Sequence, residues 1–130
     1  MTGVLAIQLP WRGQSELAPA LAALVALNVG YIQRGWPVPP LYSGAIRYAL
    51  EGRNSKGERR ERWLCAPEVA RIGFGDCEDL ACYRAGELRA SGEDSVASAV
   101  AIKTAIGWHI IVQRGDGTTE DPSRRLGMPT

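Results

Sequence analysis

The chain has 130 residues, the usual size of one domain, and a single domain with one core is expected over 1–130. Hydrophobic residues make up 45% and charged residues 22%, a globular balance that argues against disorder outside the ends and one charged stretch. The formal charge of +1 argues against a dedicated nucleic-acid binder, whose affinity would rest on a field of Lys and Arg.

The N-terminus, Met1 to Trp11, lacks the basic start and long apolar stretch of a secretion signal. The most apolar region, Leu17 to Leu27, contains Pro19 and falls short of the ~20 residues that cross a bilayer, so no membrane partner is expected. Cys65, Cys77 and Cys82 cannot all pair with one another, and reduced thiols in a cytoplasm-like compartment are the simplest expectation.

In chain order, Ser15 is placed to cap a helix running to about Arg34 and ending at Gly35. Leu17, Leu21, Leu24, Asn28 and Tyr31 follow its inner face, with Val25 and Ile32 widening the stripe. Trp36 to Pro40 is an extended connector. A second helix is expected from Tyr42 to about Leu50, burying Ile46 and Leu50, so the region 15–50 reads as N-terminal helices. The stretch 52–62 holds five basic and two acidic residues and reads as a solvated loop. Trp63 and Leu64 return to the core, which continues to residue 128.

A third helix is predicted from Asp76 to Ala90. Asp76 is a good N-cap, and Asp79 three residues on completes a capping-box-like exchange. Cys77, Leu80, Ala81, Ala85 and Leu88 share one face. Gly86 costs such a helix about 1 kcal/mol relative to Ala, which marks it as a close packing contact. Strands follow at Val96 to Ala105 and Trp108 to Arg114, joined near Ile106-Gly107. The Asp116-Gly117 turn leads to a short strand, Thr118 to Asp121, stopped by Pro122. Helices followed by an antiparallel meander make an α+β fold.

The chemistry concentrates on three residues. Cys77 occupies the first position of its helix, where free backbone N–H groups and the dipole favour a thiolate, while Glu78 and Asp79 oppose it. A buried cysteine acting as a small hydrophobe is the competing explanation. His109 is the only histidine and shares a strand face with Ile111 and Gln113. A lone strand histidine is more often structural, but a thiol facing that strand would make it a general base. Asp121 lies 12 residues on, where such a hairpin would bring it beside His109 as the orienting acid, with a turn former before Pro122 as its plainer role. Glu120 points the other way in that strand. One histidine and no CxxC make a zinc site disfavoured, even with Cys65 as a further sulfur, and no metal or cofactor is expected. Gly73-Phe74-Gly75 lacks the lysine and spacing of a phosphate loop and reads as a bend into the Cys77 helix. The tryptophans are core candidates, with Trp63 and Trp108 also placed to line a substrate groove.

The stretch GDCEDLA, Gly75 to Ala81, resembles the nucleophile motif of the transglutaminase-like, papain-like superfamily. WHIIV, Trp108 to Val112, resembles its histidine strand, and EDP, Glu120 to Pro122, its aspartate strand. This core covers about half of the chain. More widely, Pro39 to Gly52, Gly75 to Gly92 and Asp121 to Met128 are similar to small stand-alone transglutaminase-like proteins of bacteriophages. The resemblance implies a papain-like α+β fold, with Cys77 as nucleophile, His109 as base and Asp121 as orienting acid. It implies a peptide or protein substrate, attacked at an amide bond, with water or an amine as acceptor. The family's oxyanion side chain upstream of the nucleophile has no assigned counterpart, and the Cys77 N–H and Trp63 are the expected donors. The alternative, which the small size and the charged loop also fit, is a phage structural or assembly protein that keeps the fold with little or no turnover. The partners would then be virion proteins, and the location the host cytoplasm or the virion.

Overall fold

The computed structural model describes residues 14–50, 63–105 and 107–129, with side chains from Leu17 onward. It is a mixed α+β arrangement of helices around a small antiparallel sheet. The charged stretch 52–62 lies outside the described residues. No helix among those described is long and apolar enough to cross a membrane.

Helix α1, Gln14–Gln33, already includes Ser15 in its first turn, so the expected cap at Ser15 is not where the helix begins. Pro19 sits inside it, at the cost of one i→i−4 bond. The expected stripe is buried at Leu17, Leu21, Leu24, Val25 and Asn28, while Tyr31 and Ile32 are half-buried. Gly35 follows in the left-handed region (φ 80°).

The helix expected from Tyr42 to Leu50 does not form. A single 3-10 turn, Leu41–Ser43, stops at Gly44 (φ 100°), and Arg47–Tyr48 then becomes strand β1. Ile46 is buried as expected, but Leu50 is 59% exposed. The N-terminal region is thus one helix, one 3-10 turn and the short strand β1. Helix α2, Ala66–Ile72, was not expected; Pro67 starts it and Gly73 (φ 87°) ends it, both ordinary boundary signals. Strand β2, Phe74–Gly75, pairs in parallel with β1, Arg47 opposite Phe74.

Helix α3, Cys77–Ser91, begins on Asp76 with the expected capping box and ends at Gly92 in the left-handed region. It lies between two apolar clusters. One joins Leu21, Leu24 and Val25 of α1 to Ala81, Ala85 and Leu88 and to Ile110 and Val112 of the sheet. The other joins Leu41, Ile46, Leu64 and Val69 to Leu80 and Tyr83. Packed on both sides, α3 buries even Glu78 and Asp79, and it does not show the single apolar face read from its sequence.

Gly86 is the close contact that its place in a helix suggested. A Cβ there would lie 2.7 Å from Asn28 Cβ on α1, and Asn28 Oδ1 accepts the Ala66 N–H at 2.8 Å. Gly86→Ala gains about 1 kcal/mol of helix propensity but overpacks this crossing, so a net loss of about 1–2 kcal/mol is expected in urea unfolding. A gain in stability would show that the helices separate freely at that point.

Strands β3, Ser98–Thr104, β4, Gly107–Gln113, and β5, Thr119–Glu120, form an antiparallel meander with β4 in the middle. Val96, expected in the first of these strands, precedes it and is 63% exposed. Helix α4, Pro122–Arg125, follows at once. Pro122 therefore does more than stop a strand: it opens a helix, the position where its missing N–H costs least.

Candidate active site

Three elements meet at the site: the start of α3, the middle of β4 and the junction of β5 with α4. Their alignment follows from local rules. The capping box fixes where α3 begins, since Asp79 Oδ2 accepts the Asp76 N–H at 3.1 Å and the Asp76 side chain accepts from the Asp79 backbone. Asp79 Oδ1 also accepts the Leu64 N–H at 2.7 Å, which ties the segment carrying Trp63 to the same turn. Gly75 is needed beside it, because a Cβ there would lie 2.9 Å from Asp79 Cβ.

On β4, four successive residues from His109 to Val112 are buried, so both faces of the strand are covered. Ile110 and Val112 pack with α1 and α3. In the ladder Val112 stands opposite Glu120, so Asp121, the next residue, falls on the face of Ile111 and His109. His109 Nε2 and Asp121 Oδ2 are 2.9 Å apart, with His109 buried and Asp121 partly open to solvent. An ionised Asp121 places the ring proton on Nε2 and leaves Nδ1 as the basic nitrogen. Asp121 also caps α4, its Oδ1 accepting the Arg124 N–H at 3.3 Å, and Arg124 Nε lies 3.4 Å from Oδ2. Asp121 thus meets His109 through Oδ2 and caps α4 through Oδ1.

Cys77 opens α3 and is half-buried, whereas Cys65 and Cys82 are buried in the core. Burial holds the Cys65 and Cys82 thiols above their ordinary range, which suits packing rather than reactivity. Cys77 too is pushed well up. Burial is the largest cause and the Glu78 carboxyl the next; the backbone N–H of Ile110 faces the sulfur and opposes them, and Asp76 adds to the rise. The helix terminus expected to favour a thiolate is outweighed in the resting site. The thiol gives its hydrogen bond to Glu78 Oε2, 3.4 Å away. Among the described residues no hydrogen bond joins Cys77 to His109; the sulfur meets β4 one residue along, at Ile110.

Trp63 packs on the same apolar cluster as Cys77, and Trp108 carries Lys103 Nζ 5.8 Å from its ring centroid. Among the described residues the sulfurs and His109 form no metal-ligand cluster. Asp76, Glu78 and Asp79 do bring carboxyl oxygens within 4.8 Å of one another, but the two aspartates are engaged with backbone N–H groups of the cap.

Two features were missed in the sequence. One is the burial of Glu78, which its position in a first turn does not signal. The other is a polar clasp around Glu120. Its carboxylate accepts from Arg84 Nε of α3 at 2.7 Å, from an Arg114 terminal nitrogen at 2.8 Å and from the Tyr42 hydroxyl. Arg125 stacks over the Tyr42 ring at 3.8 Å. The opposite direction read for the Glu120 side chain was the one available clue.

Comparison of the chain with known family models, curated proteins and solved structures returns no match.

Proposed function

We propose that the chain is a cysteine-dependent hydrolase or acyltransferase with a papain-like, transglutaminase-like core, acting on amide bonds of a peptide or protein. The observation that carries this reading is the His109–Asp121 pair at 2.9 Å, with its histidine buried, beside a helix that opens on a half-buried cysteine. In the mechanism, the Cys77 thiol turns from Glu78 and passes its proton to His109 Nδ1. The thiolate attacks the amide carbonyl, and the Cys77 N–H with the Trp63 indole supports the oxyanion. His109 then returns the proton to the leaving amine, and water or a second amine resolves the acyl-enzyme. Asp121 holds the imidazolium throughout.

The test is the pH dependence of Cys77 alkylation by iodoacetamide in the intact chain and in His109→Ala. Labelling at Cys77 should outpace Cys65 and Cys82, and in the intact chain it should extend to lower pH than in His109→Ala. Equal, slow labelling of all three thiols, indifferent to His109, rejects the reading. The raised resting thiol favours the second reading, a phage structural or assembly protein that keeps the fold without turnover. Full infectivity of particles carrying Cys77→Ala would support it.

A further inference from the structure

We propose that Glu78 restrains the nucleophile: its carboxyl, 3.4 Å from Cys77 Sγ, takes the thiol's hydrogen bond and competes with His109 for control of that proton. The inference rests on the reading of Cys77 as nucleophile and adds a residue to its control.

An acid in the first turn of a helix ordinarily stands in solvent and interacts with the dipole from outside. Glu78 is instead 8% exposed. Capping accounts for Asp76 and Asp79, which hold backbone N–H groups, but it does not call for a third buried carboxyl within 4.8 Å of them. Burial and a hydrogen bond to Asp76, with the charges of Asp76 and Asp79, push Glu78 well above the usual carboxylate range. The rise favours the neutral acid, which lies against Asp76 and accepts the thiol's hydrogen bond on Oε2.

Among the described residues, the charges that act on Glu78 reinforce this rise. Asp76 and Asp79 are the charges that bear on Glu78, and Cys77 and Cys82 are the thiols near it on α3. The elements packed on α3 also carry Tyr31 on α1, Tyr42 on the 3-10 turn, the Glu68–Arg71 pair on α2, Lys103 on β3, His109 on β4, and Asp121, Arg124 and Arg125 at α4. On activation the proton passes from Sγ to His109 Nδ1 and Glu78 keeps its own, so no carboxylate charge on Glu78 faces the thiolate. When Glu78 ionises at higher pH, its charge opposes the thiolate. Loss of Glu78 therefore lowers the pH at which Cys77 becomes reactive.

The experiment follows iodoacetamide labelling of Cys77 from about pH 5 to about pH 10 in the full chain, in Glu78→Gln and in Glu78→Ala, each with and without His109→Ala. Glu78→Ala should label about tenfold faster near neutral pH, the effect of lowering the thiol pKa by one unit. Glu78→Gln keeps both hydrogen bonds but cannot ionise, so it should match the intact chain in acid and outpace it increasingly as pH rises. Unchanged or slower labelling in both variants overturns the restraint while leaving a His109-dependent nucleophile standing. Profiles indifferent to His109→Ala overturn the triad and with it the competition proposed here. Since Glu78 is raised above its ordinary 4.5, its contribution to stability is full below that value and lost as pH rises through the folded value. Glu78→Gln should therefore fold at neutral pH at least as well as the intact chain, and it decides the matter alone if the Ala variant does not fold.

Discussion

Under the proposed mechanism, Asp121→Asn slows acyl transfer through Cys77 by about a thousandfold or more with little change in thermal stability. Asn caps a helix as well as Asp, so the Arg124 N–H keeps an acceptor and α4 keeps its start. The amide, however, carries no charge to hold an imidazolium. It can also present its NH2 to His109 Nε2, which moves the ring proton to Nδ1, the nitrogen that must act as base. Asp121→Ala should be equally slow and should lose a further ~1 kcal/mol of stability with the cap. Single-turnover acylation by a chromogenic peptide anilide, with thermal unfolding in parallel, separates the two effects. An Asn variant within tenfold of the intact chain would end the claim that Asp121 orients His109.

Asp79→Ala carries the largest expected loss of stability, on the order of 3–5 kcal/mol. Asp79 is fully buried and accepts the N–H groups of Leu64 and Asp76. Removing the carboxylate strands two buried donors, each costing about 1–3 kcal/mol, and weakens the end of α3. Asp79→Asn keeps one acceptor oxygen and should lose roughly half as much. The strain it relieves works in the other direction, because the Asp79 charge is one of those raising Glu78. Urea unfolding measures the balance. A loss below about 1 kcal/mol for the Ala variant would mean that water or backbone movement satisfies both donors.

What could be read from the sequence was mostly local. The start of α3 was legible because Asp76 and Asp79 write a capping box within four residues, and β4 because its residues are β-branched and apolar in a run. The hairpin through Asp116-Gly117 was legible from its turn residues, and with it the approach of Asp121 to His109. The expected helix at Tyr42 failed because Ile46 and Leu50 have helical spacing, while Gly44 adopts a left-handed conformation and β1 pairs with a strand that is remote in sequence. That pairing is only two residues long, too short to leave a period. Glu78 was read as a charge at a helix terminus because burial is decided by the second apolar cluster and the sheet together, which no window along the chain contains. The placement that sets the thiol against Glu78 and Ile110 rather than His109 lies beyond any pattern of residue types.

The clasp around Glu120 limits how this sequence can drift. Tyr42, Arg84 and Arg114 come from three separate stretches of chain, yet each meets the Glu120 carboxylate. Losing Glu120 alone would leave Arg84 and Arg114 facing one another across the gap between helix and sheet, whereas losing either arginine leaves the other to hold the charge. Tolerated change should therefore begin at an arginine and reach Glu120 last. In descendants of this chain the four positions are expected to vary as a group, the acid remaining for as long as any one of its partners does.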